Sequence, residues 1–328
     1  MFGQVSLWSL APSLYPNYLL IVLVSLVLFY LFSKIDFEVI SAFSIFLYLG
    51  SLFLLITTLV IGRITRGTVR WIPLGGFSLQ SSEVVRPFIY LFLANFLGGK
   101  NLTLKKMLRA VILMILPVFL ILVQPSLGVS VITFIGFFGI VLASKVDKRL
   151  ILILMFVFVS IIPILWRFLA PYQQARVETF LFPSNDPYGA GYNSIQSMIT
   201  VGSGRFLGRG LGKGIQTQLL FLPEKHTDFI FASISEEFGF LGSSILLTGI
   251  FMFLYVLIRV MEHARNPVAR AYVAGIFLSL FAQIFIHIGM NMGILPITGL
   301  TLPLISAGGS SLIATMIGLG MVISAKKV

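Results

Sequence analysis

The sequence predicts an all-α polytopic membrane protein with about nine transmembrane helices and one large extracytoplasmic loop. Three observations carry this. Hydrophobic residues make up 58% of the 328 positions, and mean hydropathy is +1.02. Charged residues are only 10% of the chain, against about 25% in a soluble domain, so most of its length has no means of facing water. The apolar stretches are continuous and close to the ~20 residues a bilayer-crossing helix needs. A peripheral protein, a secreted scaffold and a soluble dinucleotide-binding enzyme are excluded together, and the lack of in/out alternation excludes a β-barrel. The absence of cysteine removes disulfides, thiolate metal sites and cysteine nucleophiles.

In chain order the apolar runs are Tyr18–Ser33, Ile40–Ile61, Val84–Leu97, Met107–Val123, Val129–Ala143, Leu150–Leu169, Phe238–Ile258, Ala271–Met292 and Ser310–Ser324. The shorter ones reach spanning length by extending into their flanks. They form one membrane domain over residues 1–328, with residues 170–228 as the large loop. Met1 to Pro16 has no basic n-region, so no cleavable signal is expected.

Basic residues orient the spans. If alternate loops are cytoplasmic, starting after the first run, they hold Lys34, Lys100, Lys105, Lys106, Arg109, Lys145, Lys148, Arg149, Arg259, Arg265, Arg270, Lys326 and Lys327. The opposite short segments hold only Arg63, Arg66, Arg70 and Arg86. The carboxyl end is therefore expected to be cytoplasmic and the loop at 170–228 outside. The formal charge of +12 follows membrane sidedness, and nucleic acid is not an expected partner.

Chemistry is expected in the loop and around it. The loop is rich in Gly, Pro and polar residues, with no obvious helix of its own, and it contains or adjoins Glu178, Asp186, Glu224 and Asp228. A connection this long is usually functional or disordered; Tyr188, Tyr192, Phe221 and the apolar Ile215–Leu222 stretch argue for order. Asp228 enters an apolar run, where an ionised carboxylate must be desolvated or paired. It reads equally as a helix N-cap and as a catalytic acid or base, and the two are compatible. Glu236 and Glu237 read as a polar break before the next span starts near Gly239, with Glu236 left open. Glu83 and Arg86, three apart, share a helix face and are placed to pair, and an intramembrane ion pair is a functional hypothesis by default. Trp71 reads as an interfacial anchor.

The Gly202–Gly214 stretch lacks the hydroxyl residue that follows the lysine of a phosphate loop. Its Arg205, Arg209 and Lys213 still offer positive charge to a phosphate. The Ser324–Lys327 match to S-x-x-K has no companion motifs and is chance. His226, His263 and His287 lack metal-site spacing, and only His226, beside Asp228, invites a functional role. Prolines and glycines between Asn291 and Ser311 predict a broken or re-entrant segment. Irregular backbone at membrane depth persists only where protein or a watery cavity satisfies it.

Taken together, these segments resemble the shape, elongation, division and sporulation (SEDS) family, whose best-known members are RodA and FtsW. The matching strings are G-x-x-R-W-I at Gly67–Ile72, Q-x-S-E-x-x-R at Gln80–Arg86, Q-P-x-L-G at Gln124–Gly128, D-P-x-G-x-G-Y-N-x-x-Q-S at Asp186–Ser197, L-P-E-x-H-T-D-F-I-F at Leu222–Phe231, E-E-x-G-x-x-G at Glu236–Gly242, P-I-T-G-L-x-L-P at Pro296–Pro303 and G-G-S-S at Gly308–Ser311. They cover essentially the whole chain in family order, and Tyr192-Asn193 with Gly214–Gln218 lean toward the RodA branch.

The resemblance implies a peptidoglycan glycosyltransferase. Such an enzyme polymerises lipid II on the outer face of the bacterial cytoplasmic membrane, together with a class B penicillin-binding transpeptidase and in contact with membrane lipids. It implies Asp228 as general base and places Glu83 and Arg86 in the family's central cavity, with Arg where the family has Lys. His226 and Ser310 are assigned to substrate, and Arg205, Arg209 and Lys213 to the diphosphate. Charge on the leaving group is offset by side chains or by a divalent cation, Mg or Mn. Two departures stand out: Ser126 replaces the family's Asp in Q-P-D, and the chain matches the ten-span pattern from its second span. A lipid II flippase, or a weakly active scaffold for the transpeptidase, would use the same architecture. Asp228 separates them, because a base at the outer surface serves polymerisation and is incidental to flipping.

Overall fold

The computed structural model describes residues 2–65, 68–73, 78–98, 103–144, 160, 166–167, 169–182 and 191–326. The amino-terminal part forms α1 (Phe2–Leu10), α2 (Tyr15–Lys34), α3 (Phe37–Ala42) and α4 (Ser44–Ile61), then strands β1 (Arg63–Thr65), β2 (Thr68–Pro73) and β3 (Ser78–Gln80). Next come α5 (Ser81–Val84), α6 (Arg86–Leu97), α7 (Leu104–Val123), α8 (Leu127–Ala143), α9 (Pro171–Leu181), α10 (Tyr192–Ser203) and α11 (Ile215–Gln218). The carboxyl-terminal helices are α12 (Ile230–Glu262), α13 (Pro267–Asn291) and α14 (Gly309–Ser324). Among the described residues, α2, α4, α7, α12 and α13 are long and apolar enough to cross a membrane, and α8 and α14 are shorter apolar helices. The expected span at Leu150–Leu169 lies almost wholly outside the described residues. So do Gly67, Lys100, Lys145, Lys148, Arg149, Asp186 and Lys327.

Local signals set the helix starts. Thr103 accepts the amide of Lys106 at 3.3 Å to begin α7, and Asp36 accepts that of Glu38 to begin α3, each supplying an acceptor for an otherwise orphan first-turn donor. One expectation needs correction. The loop has helices of its own, α9, α10 and α11; their mixed polar and apolar composition hid them from a search for spans. The residues before Gln80 form a small antiparallel sheet in the order β1-β2-β3, pairing Trp71 with Gln80.

The fold divides into two compact units. One comprises Leu19–Phe156, Leu254–Ala282 and Gly309–Val328. Its core holds Ile89, Tyr90, Leu93, Met114, Ile132, Ile140 and Tyr272, all buried. Small residues let its helices approach: a Cβ on Gly139 would lie 2.6 Å from the carbonyl oxygen of Ala274, and one on Gly275 the same distance from Ile140. Without a hydrophobic drive between helices in lipid, such close backbone packing is what holds them together. Tyr90 donates to the carbonyls of Ile132 and Thr133 at 3.1 and 3.2 Å. Phe46, Phe53, Val60 and Ile61 of α4 are exposed apolar side chains.

The other unit comprises Met1–Tyr18, Val157–Phe253 and Gln283–Gly308. Its α12 is broken at Gly239, where φ is 66° and ψ −163°, a conformation essentially reserved for glycine. The Gly-rich turn supplies the hydrogen bonds that the break displaces. The amides of Phe240 and Leu241 donate to the carbonyls of Arg205 and Phe206, and those of Arg209 and Gly210 donate to the carbonyls of Glu236 and Glu237, all at 2.9–3.1 Å. Between α13 and α14 the chain is irregular, as expected, and is satisfied by protein. Gln283 donates to Thr301 O at 2.9 Å, Tyr18 to Ser306 O at 2.9 Å and Ser306 to Thr227 O at 2.8 Å.

Candidate active site

Asp228 stands in the turn ahead of α12, two residues before its first helical residue, Ile230. This turn is held from two directions. Asn291, fully buried at the end of α13, donates through Nδ2 to Asp228 O at 3.0 Å and accepts the amide of Ala232 through Oδ1 at 3.0 Å. The amide of Ala307 donates to His226 O at 3.0 Å. Asp228 itself is half-buried.

A cation shares its surroundings. Gly299, with φ 71°, lies in the irregular segment. A Cβ built on it would be 3.6 Å from Asp228 Oδ2 and 3.9 Å from Arg176 Nη1. Arg176 projects from α9 and donates to Ile297 O at 3.3 Å. Sequence reasoning missed Arg176 because it looks like an ordinary surface residue of a mixed helix; its one signal was a cation in the loop on the same side as Asp228. Beside it opens a cleft of about 320 Å³ lined by Arg176, Thr179, Asn193, Ser194 and Ile297. Among the described residues no group of three or more His, Asp or Glu side chains is placed to hold a metal ion.

Glu237, expected to mark a polar break, and Glu236, whose role the sequence left open, tie the loop to α12. Both are buried. Glu236 accepts the amides of Gln216 and Thr217 at 2.9 and 3.1 Å and the Ser203 hydroxyl at 3.3 Å. Glu237 accepts from the Ser9 hydroxyl at 2.6 Å and the Gly212 amide at 3.0 Å. Lys225 donates to Thr217 O at 2.6 Å. Burial holds its ammonium below the ordinary lysine range, and the charges of Glu237 and Glu236 oppose that shift. Arg205, Arg209 and Lys213 are exposed on the Gly-rich turn, and Arg209 Nε donates to Ser203 O at 3.0 Å.

The remaining candidates, Glu83, Arg86 and Ser310, belong to the other unit. Glu83 is the third residue of α5 and Arg86 the first of α6, with Val84 and Val85 between them, and each is only 5% exposed. They sit beside a buried polar cluster. Ser310 Oγ accepts the Gln80 amide at 2.7 Å and donates to Ser78 O at 3.3 Å. The Gln80 side chain donates to Ser82 at 3.1 Å and to Ser126 at 3.4 Å. Ser126, where the related motif carries Asp, is thus a buried neutral member of this cluster. A cavity of about 20 Å³ borders Arg86, Tyr90, Ser279 and Thr315, room for roughly one water molecule.

The family model described as cell cycle protein (FtsW, RodA, SpoVE) matches residues 12–328. The chain belongs to the FtsW/RodA/SpoVE family. Among relatives of this family, the peptidoglycan glycosyltransferase MrdB of Escherichia coli K12 is 38% identical over 302 residues, 91% of this chain and 82% of its own. The probable peptidoglycan glycosyltransferase FtsW of Pseudoalteromonas translucida is 39% identical over 290 residues, 85% of this chain and 71% of its own. A solved chain from a peptidoglycan synthase complex that coordinates polymerization and crosslinking superposes with a TM-score of 0.84 at 31% identity, covering 98% of this chain and 92% of that one. The rod shape determining protein RodA of Thermus thermophilus gives 0.74 at 27% identity, covering 98% and 91%. The fold is the multi-helical, multi-pass membrane architecture of RodA.

Proposed function

We propose that this protein polymerises lipid II into glycan strands on the outer face of the bacterial cytoplasmic membrane, with Asp228 as general base and the carboxyl terminus cytoplasmic. The chain is a peptidoglycan glycosyltransferase of the FtsW/RodA/SpoVE family. The observation that supports the assignment of the base is the seat of Asp228. It is half-buried, its backbone is pinned by Asn291, and its carboxylate and the Arg176 guanidinium both border Gly299. A carboxylate that acts as base must be ionised when the acceptor hydroxyl arrives, and a neighbouring cation favours that form.

In the reaction the hydroxyl of the acceptor sugar attacks the anomeric carbon of the donor. The new glycosidic C–O bond forms as the bond from that carbon to the diphosphate oxygen breaks, the hydroxyl proton passes to Asp228, and undecaprenyl diphosphate leaves. General base assistance of this kind contributes about 10²–10⁴-fold. We assign substrate contacts to Glu83, Arg86, His226 and Ser310, and secondary contacts with the diphosphate to Arg205, Arg209 and Lys213. A class B penicillin-binding transpeptidase is the partner that would crosslink the product, in keeping with the synthase complex among the similar structures. Exposed apolar side chains such as Phe53 and Val60 face membrane lipid.

The test is polymerisation of labelled lipid II by the full chain with its transpeptidase partner. Wild type yields glycan polymer, and Asp228→Asn and Asp228→Ala lose it by roughly 10²-fold or more. Polymer formed equally well by both variants removes Asp228 as base. Lipid scrambling without polymer from wild type assigns the chain to translocation instead.

A further inference from the structure

The cleft beside Arg176 is the feature that the assigned residues leave unexplained. Its volume of about 320 Å³ falls at the lower end of the range for small-ligand sites, ~300–1,000 Å³. Its polar lining is one guanidinium, two hydroxyls and one amide, from Arg176, Thr179, Ser194 and Asn193, with no carboxylate among the lining residues. Asn193 and Ser194 lie in the first turn of α10, a 12-residue helix, whose amino end adds positive potential to the cleft. The chemistry is that of an anion site rich in hydrogen-bond donors.

We propose that this cleft binds the diphosphate of the lipid-linked donor, with Arg176 as its principal ligand; this rests on the glycosyltransferase reading above. Three observations support Arg176 over the basic residues of the Gly-rich turn. Arg176 lines the cleft, whereas Arg205, Arg209 and Lys213 are not among its lining residues. Its guanidinium is oriented by a bond to Ile297 O at 3.3 Å, on the segment that also carries Gly299. Its Nη1 and the Asp228 carboxylate flank the same point, 3.9 and 3.6 Å from a Cβ position on Gly299. Base and cation therefore border one small space. A planar guanidinium matches phosphate oxygens with paired donors, and fixed positive charge acts where the leaving oxygen gains negative charge. Gly299 has no side chain to fill the space where the reacting groups would meet.

The experiment uses the full chain in nanodiscs with farnesyl diphosphate as probe and farnesol as control for the tail, measured by calorimetry at fixed ionic strength. Arg176→Ala is expected to weaken farnesyl diphosphate binding roughly 10- to 100-fold and to leave farnesol binding unchanged. Arg176→Lys, which keeps the charge and loses the fork, falls between. Thr179→Val and Asn193→Ala test the same cleft without touching the guanidinium, and each should weaken the probe several-fold. Wild-type affinity in a folded Arg176→Ala overturns the proposal, as does loss of binding in Arg209→Ala with none in Arg176→Ala. Because binding is read without turnover, the two readings separate. If Asp228→Asn still polymerises lipid II while Arg176→Ala loses the probe, the base assignment falls and the cleft stands.

Discussion

Asn291 donates to the backbone carbonyl of Asp228 at 3.0 Å while its own side-chain carbonyl accepts the amide of Ala232. One buried amide side chain at the end of α13 thus sets the height and direction of the turn that carries the candidate base. A further side-chain bond, from Asn291 Nδ2 to His287 O at 2.8 Å, locks its rotamer.

Replacing Asn291 with leucine leaves a carbonyl and an amide without partners, at about 1–3 kcal/mol for each buried group. Thermal unfolding in detergent should fall accordingly. Lipid II polymerisation should fall more steeply than stability alone accounts for, because Asp228 loses its backbone anchor. Full activity in a destabilised Asn291→Leu would separate Asn291 from the site.

Gly239→Ala forces an L-residue into a conformation costing about 1–3 kcal/mol, and its methyl meets the backbone of Gly208 and Leu207. The variant should unfold at markedly lower temperature and expose the 205–210 turn to proteolysis. Gly249→Ala, in the same helix, meets nothing within 4 Å and should be neutral or stabilising by up to about 1 kcal/mol.

Glu236→Ala removes the acceptor of the Gln216 and Thr217 amides and of the Ser203 hydroxyl. Hydrogen bonds to a charged group contribute about 1.5–3 kcal/mol each, so amide exchange at residues 215–218 should accelerate by at least tenfold. Exchange at 89–97, in the other unit, should be unchanged. Slow exchange retained at 215–218 would show that the loop is held by other contacts.

Lys225 gives a pH dependence with a definite sign. Its folded-state pKa is lowered from 10.5 by burial. Between that lowered value and 10.5 the unfolded chain binds more protons at this site than the folded one, so stability rises with pH across the window. Below the window the cost of burying the ammonium is fully present. Lys225→Met should abolish this part of the slope, seen as a smaller gain in unfolding temperature on alkalinisation than in wild type.

Much of this was legible in the sequence because the bilayer imposes local rules. A helix must be apolar over its whole crossing, so runs such as Met107–Val123 and Ala271–Met292 announce α7 and α13 without reference to the rest of the chain. Asp228 was legible for the same reason, as a lone acid at the edge of an apolar run. The irregular segment after Asn291 showed in its prolines and glycines. The roles of Glu236, Glu237 and Arg176 were not legible.

Composition and hydropathy by themselves determined the membrane class and the apolar runs that become α2, α4, α7, α12 and α13, since each depends only on neighbours in the chain. Tertiary structure alone decided that Glu236 holds residues 19 and 20 positions away and that the Gly-rich turn completes a broken helix. It also brought a guanidinium from α9 and the Asp228 carboxylate to the same glycine, Gly299. A hydrogen bond or a field acts through space over a few ångströms, and only the folded chain brings such distant residues within that range.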